Sequence, residues 1–95
     1  MIPLARREML KAARWYDRQG KGLGDRLLDE VRVGLLAILE FPGGHPPHMN
    51  GYRRWLLESF PYGLVYRIEA DEIVVVAVAN LKKRQSYWKR RPTAP

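Results

Sequence analysis

Cysteine is absent from the 95 residues. That excludes a disulfide framework, a thiolate nucleophile and a cysteine-ligated zinc centre. Long hydrophobic runs are missing too. The longest spans residues 73–79 and is strand-sized, well below the roughly 18 residues of a membrane-spanning helix. The opening Met-Ile-Pro-Leu-Ala-Arg-Arg-Glu lacks the apolar core of a secretion signal, so a cytoplasmic protein with no membrane contact is expected. Serine occurs only at 59 and 86, which leaves serine–histidine–aspartate catalysis without support. The two histidines, His45 and His48, sit in a proline-rich loop with no nearby carboxylates to complete a metal set. They read as exposed loop side chains, and neither a metal nor a cofactor is expected. Gly20, Gly22 and Gly24 join two helical segments rather than following a strand, which disfavours a phosphate cradle. Asp29 and Glu30 are adjacent on a helix and diverge, so they make a poor proton-sharing pair.

What is present is a globular composition, 46% hydrophobic and 28% charged, in a chain of single-domain length. The formal net charge is +7. Residues 1–79 hold eleven Lys/Arg against ten Asp/Glu, whereas residues 80–95 hold six bases and no acid. These six are Lys82, Lys83, Arg84, Lys89, Arg90 and Arg91. A cluster of this kind attracts phosphate backbones, acidic protein segments or anionic lipids. A purely solubilising tail is the plainer alternative, but Tyr87 and Trp88 inside the cluster argue against it.

The apolar spacing changes along the chain. Ala5, Met9, Ala12 and Tyr16 recur at helical intervals after Pro3, predicting a helix over residues 3–18. The glycines at 20, 22 and 24 break it. Leu28, Val31, Leu35 and Ile38 then predict a second helix over 24–41, with acids in its first turns. Gly34 within that helix marks a close approach to the first helix or to the sheet. Residues 41–48 carry three prolines and two glycines and read as a loop. Beyond it the period becomes two. Strands are predicted over 52–60, 64–69 and 73–80, with Leu64, Tyr66 and Ile68 sharing a face and a tight turn at 70–72. The β-branched third strand predicts a central position or burial on both faces. A helix hairpin followed by an antiparallel meander is an α+β fold with the helices on one sheet face. A basic tail follows at 82–91, and residues 92–95 are expected to fray.

Once other chemistries are set aside, arginine, lysine and tyrosine remain. Neighbouring antiparallel strands are expected to bring Arg54 or Arg67 close to the base of the tail. Such a group could stabilise charge at a phosphate during RNA cleavage, with Tyr87 or an arginine near the leaving oxygen. Tyr87 and Trp88 either stack on bases or pin the tail to the sheet.

Several landmarks recur in order. They are Pro3-x-Ala5-x-x-Glu8, Trp15-Tyr16-x-x-Gln19, Gly22-Leu23-Gly24, Glu40-Phe41-Pro42, Arg53-Arg54, Phe60-Pro61-Tyr62-Gly63, Tyr66-Arg67-Ile68, Ala77-Val78-Ala79 and Arg84-x-x-Tyr87-Trp88-x-x-Arg91. Together they resemble the RelE/ParE superfamily of type II toxin–antitoxin toxins over nearly the whole chain, nearer its ParE-like, plasmid-stabilisation group. The resemblance implies a growth-inhibiting toxin and a cognate antitoxin that wraps it. It also implies contact with operator DNA only through the antitoxin complex. ParE-like members poison DNA gyrase. RelE-like members cut messenger RNA on the ribosome, and in that branch Arg54, Arg67, Arg84 and Tyr87 would match the cleavage set. The partner-binding surface expected in either branch comprises Lys82, Lys83, Arg84, Trp88, Lys89, Arg90 and Arg91. Superfamily members normally open with a β-strand, yet only Met1 and Ile2 precede Pro3 here. The resemblance therefore implies a late start or a lost strand. A lost strand would leave a sheet edge open to the antitoxin or to a second copy, or leave a remnant that only binds antitoxin.

Overall fold

The computed structural model describes residues 1–91; the end expected to fray, 92–95, lies outside the described residues. Two helices, α1 (Pro3–Gln19) and α2 (Leu23–Glu40), precede a single 3-10 turn at Pro42–Gly44. Four strands follow: β1 (Pro47–Met49), β2 (Tyr52–Leu56), β3 (Tyr62–Glu69) and β4 (Glu72–Asn80). They form one antiparallel sheet in chain order. The α+β arrangement matches the expectation, with one strand more than the sequence suggested.

Pro3 opens α1 where a backbone donor is not needed. The small buried residues Ala5, Ala12 and Ala13 line the inward face of α1 and let backbones approach. Gly22, at φ +84°, ends the break between the helices. The Asp17 carboxylate then accepts the Gly24 N–H at 2.8 Å, satisfying a donor that α2 itself cannot. Gly34 does mark a close approach, and the neighbour is the sheet. A Cβ there would lie 2.7 Å from Trp55 Cδ1 and 2.8 Å from Leu64 Cδ1. Trp55 and Leu64 are cross-strand partners, so they define the helix-covered face. Arg54, Leu56, Val65 and Arg67 alternate onto the other face.

Three expectations need correction. The strand predicted over 52–60 ends at Leu56. Leu57 still closes the hairpin by donating to Tyr62 O at 2.9 Å, and the Glu30 carboxylate takes the Ser59 N–H at 2.9 Å. β1 begins within the loop at 41–48 and is joined to β2 through Asn50 and Gly51 at φ 49° and 82°. Paired positive φ values suit a tight hairpin, and Asn-Gly is the sequence that adopts them. His45 and His48 are half-buried rather than exposed. The His45 ring lies edge-on to Trp55 at 5.0 Å and bonds Ala37 O at 3.2 Å. Ile68 keeps the alternation with Leu64 and Tyr66, and it pairs with Ile73 near the hairpin tip, where it is exposed.

β4 is buried on both faces as predicted, but it is the last strand of the sheet rather than a central one. Its cover comes from α1 and from the tail. Register shifts between Val65 and Tyr66, partnered by Ala77 and Val75, leave Val76 as the extra residue of a bulge.

Candidate functional site

The tail leaves β4 as a chain of turns. The Asn80 side chain accepts the Lys82 N–H at 3.0 Å, and the Gln85 amide donates to Asn80 O and Lys83 O. Turn-like bonds link Tyr87 to Arg84, Lys89 to Ser86 and Arg91 to Trp88. These bonds send Tyr87 and Arg91 towards α1 and put Trp88 against the open sheet face.

On the α1 side the tail closes on Glu8. The Arg91 guanidinium donates to both carboxylate oxygens, at 2.7 and 3.0 Å, and the Tyr87 hydroxyl donates to Glu8 Oε2 at 2.5 Å. Arg91 Nη1 also reaches Val76 O at 3.0 Å, while Glu8 Oε1 accepts the Val78 N–H at 3.1 Å. With the Ile2 N–H on Val75 O at 3.0 Å, three outward groups of β4 are engaged. The edge expected to stand open for a partner strand is thus partly occupied by the chain's own groups. Burial, followed by the bond to Glu8, pushes the Tyr87 hydroxyl far above the ordinary tyrosine value. It keeps its proton at neutral pH and is a poor general acid or base.

Trp88, by contrast, is fully buried. Its ring packs edge-on against Tyr52 at 4.6 Å, with His48 at 5.9 Å. The Arg67 guanidinium lies 5.5 Å from the Tyr52 ring and pairs with Glu69 at 2.9 Å. Arg54 stands on the same face diagonally across from Arg67, since Arg54 pairs with Val65. Arg54 lines a cleft of about 350 Å³ with His45, Pro47 and His48. Burial and the neighbouring Arg54 charge lower the His48 pKa, so the imidazole is neutral near pH 7.

Of the four residues matched to RNA cleavage, the fold brings Arg54 and Arg67 together. Tyr87 lies at the β4 edge bound to Glu8, and Arg84 is exposed in a turn of the tail. Of the seven expected partner-binding residues, Lys82, Lys83, Arg84, Lys89 and Arg90 are exposed. Trp88 is core, and Arg91 spends its charge on Glu8. The residue that sequence reasoning missed is Glu8. Its signals were its place in the Pro3-x-Ala5-x-x-Glu8 landmark and its being the only carboxylate among the first sixteen residues.

A family model described as the ParE toxin of the type II toxin–antitoxin system, parDE, matches residues 2–87. No curated protein and no solved structure matches the chain. Among the described residues no helix is long and apolar enough to cross a membrane.

Proposed function

Since the chain belongs to the ParE toxin family of type II toxin–antitoxin modules, we propose that it arrests growth by binding DNA gyrase in the cytoplasm. The family implies a cognate antitoxin that neutralises it. The observation that carries the gyrase reading is the Tyr87–Glu8 bond. It holds the tyrosine proton in place and sets the hydroxyl apart from Arg54 and Arg67. An acid–base site for cutting RNA needs such groups converged on one phosphate. A binding toxin needs only a shaped, charged surface, and the exposed Lys82, Lys83, Arg84, Lys89 and Arg90 supply one. An acidic antitoxin segment is the natural cover for these charges. Operator DNA would be contacted only within the antitoxin complex. Co-sedimentation of the purified protein with gyrase and, separately, with ribosomes tests the reading. Retention on gyrase supports it, whereas retention on ribosomes alone overturns it.

A further inference from the structure

A cleft of about 360 Å³ lies between α1, the start of β3 and the first residues of the tail. Its walls include Trp15, Tyr62 and Tyr87, and its cations are Lys11, Lys82 and Lys83. Trp15 is 48% exposed, a large share for an indole. It is held edge-on to Tyr16 at 4.9 Å, and Tyr16 is braced against Phe60 at 4.8 Å. The exposed ring is therefore supported from behind rather than loose, which suits a stacking platform.

The charges suit an anion. No arginine is among the described lining residues. Lysine acts as a compact point charge of the kind that holds phosphate. Glu8, the only acid among the described lining residues, has both oxygens engaged by Arg91 and Tyr87. Its charge is neutralised and does not repel an anion. Burial raises the pKa of both the Tyr62 and Tyr87 hydroxyls, so neither adds negative charge at neutral pH. The Asn80 amide oxygen is taken by the Lys82 N–H, which leaves the amide NH2 available to the edge of a ring.

We propose that this cleft binds a nucleotide unit, with the base on Trp15 and the phosphate on Lys82 and Lys83. The unit is either a free nucleoside phosphate or one residue of a single strand. The cleft volume suits a ligand of one nucleotide. The site is distinct from the Arg54 cleft and does not depend on which cellular target the toxin strikes.

Calorimetric titration of the intact protein with adenosine 5′-monophosphate tests the site. Saturable binding is expected with a Kd at or below about 1 mM. Adenosine alone and inorganic phosphate alone should each bind at least about tenfold more weakly, because stacking and charge act together. Trp15→Ala should abolish binding and Trp15→Phe should retain most of it, both with unchanged circular dichroism. The Lys82→Ala/Lys83→Ala double variant should weaken the monophosphate about tenfold or more and leave adenosine alone unaffected. A 5′-phosphorylated tetranucleotide separates the two sources. Equal affinity assigns the site to free nucleotides, and tighter binding that the same substitutions remove assigns it to a strand. Absence of saturable binding by either ligand up to about 10 mM overturns the proposal. So does binding that survives both Trp15→Ala and the double lysine variant.

Discussion

Glu8 and Arg91 stand 83 positions apart in the chain, yet they meet in two hydrogen bonds of 2.7 and 3.0 Å. Their side chains are only 20% and 14% exposed. This clamp ties the tail to α1 and fills part of the β4 edge. Loss of Arg91 would strand the Glu8 charge and the Val76 carbonyl, whereas loss of Glu8 would strand the Arg91 charge and the Val78 N–H. Arg91→Ala is expected to lower stability by about 2–4 kcal/mol, somewhat less than for a fully buried pair. Arg91→Lys should recover only part, since lysine cannot span both oxygens. Denaturant midpoints with unchanged slopes check both variants.

The tyrosines predict alkaline behaviour. Tyr62, Tyr66 and Tyr87 are all raised, chiefly by burial, with the Glu8 bond adding to Tyr87. A proton held more tightly in the folded chain stabilises the fold below the unfolded tyrosine pKa of about 10, and the contribution fades as the pH climbs beyond it. Melting temperature should hold up to about pH 10 and then fall. In Tyr87→Phe the fall should be shallower. An ultraviolet titration of the native protein should show Tyr62, Tyr66 and Tyr87 ionising above the ordinary tyrosine range.

Gly34→Ala tests the seating of α2 on the sheet. Alanine gains about 1 kcal/mol in helix propensity, but its Cβ would meet Trp55 Cδ1 at 2.7 Å and Leu64 Cδ1 at 2.8 Å. Overpacking of this sort costs about 1–3 kcal/mol. The expected outcome is net destabilisation, read from the denaturant midpoint. A stabilised variant would show that Trp55 yields easily.

The tail should divide into packing and surface residues. Trp88→Ala is expected to cost about 3–5 kcal/mol, as for other buried aromatics. Lys89→Ala and Arg90→Ala should each leave stability within about 0.5 kcal/mol. The two charge variants should weaken the antitoxin complex and flatten its dependence on salt. Thermal melts and binding titrations at two ionic strengths separate the effects.

The helices were legible because their apolar spacing is local and glycines bracket the break. β1 was not, although Asn50-Gly51 signalled it, because prolines on either side of His45 dominated the reading of that loop. The strand over 52–60 was overextended because Leu57 and Phe60 continue the apolar pattern into a turn where both are buried. At the site, charge counting found the basic tail but could not assign its residues to core or surface. Trp88 and Lys89 are neighbours in sequence and opposites in exposure. The Tyr87–Glu8–Arg91 cluster was illegible for a different reason. No local periodicity links residues that only the packing of α1 against β4 brings together.

Supercoiling by purified gyrase, titrated with this protein, tests the central claim most directly. Supercoiling should fail as the protein approaches the gyrase concentration, Tyr87→Phe should inhibit equally when folded, and added antitoxin should restore activity. Uninterrupted supercoiling at an excess of folded protein, with messenger RNA cut on programmed ribosomes, would contradict the account.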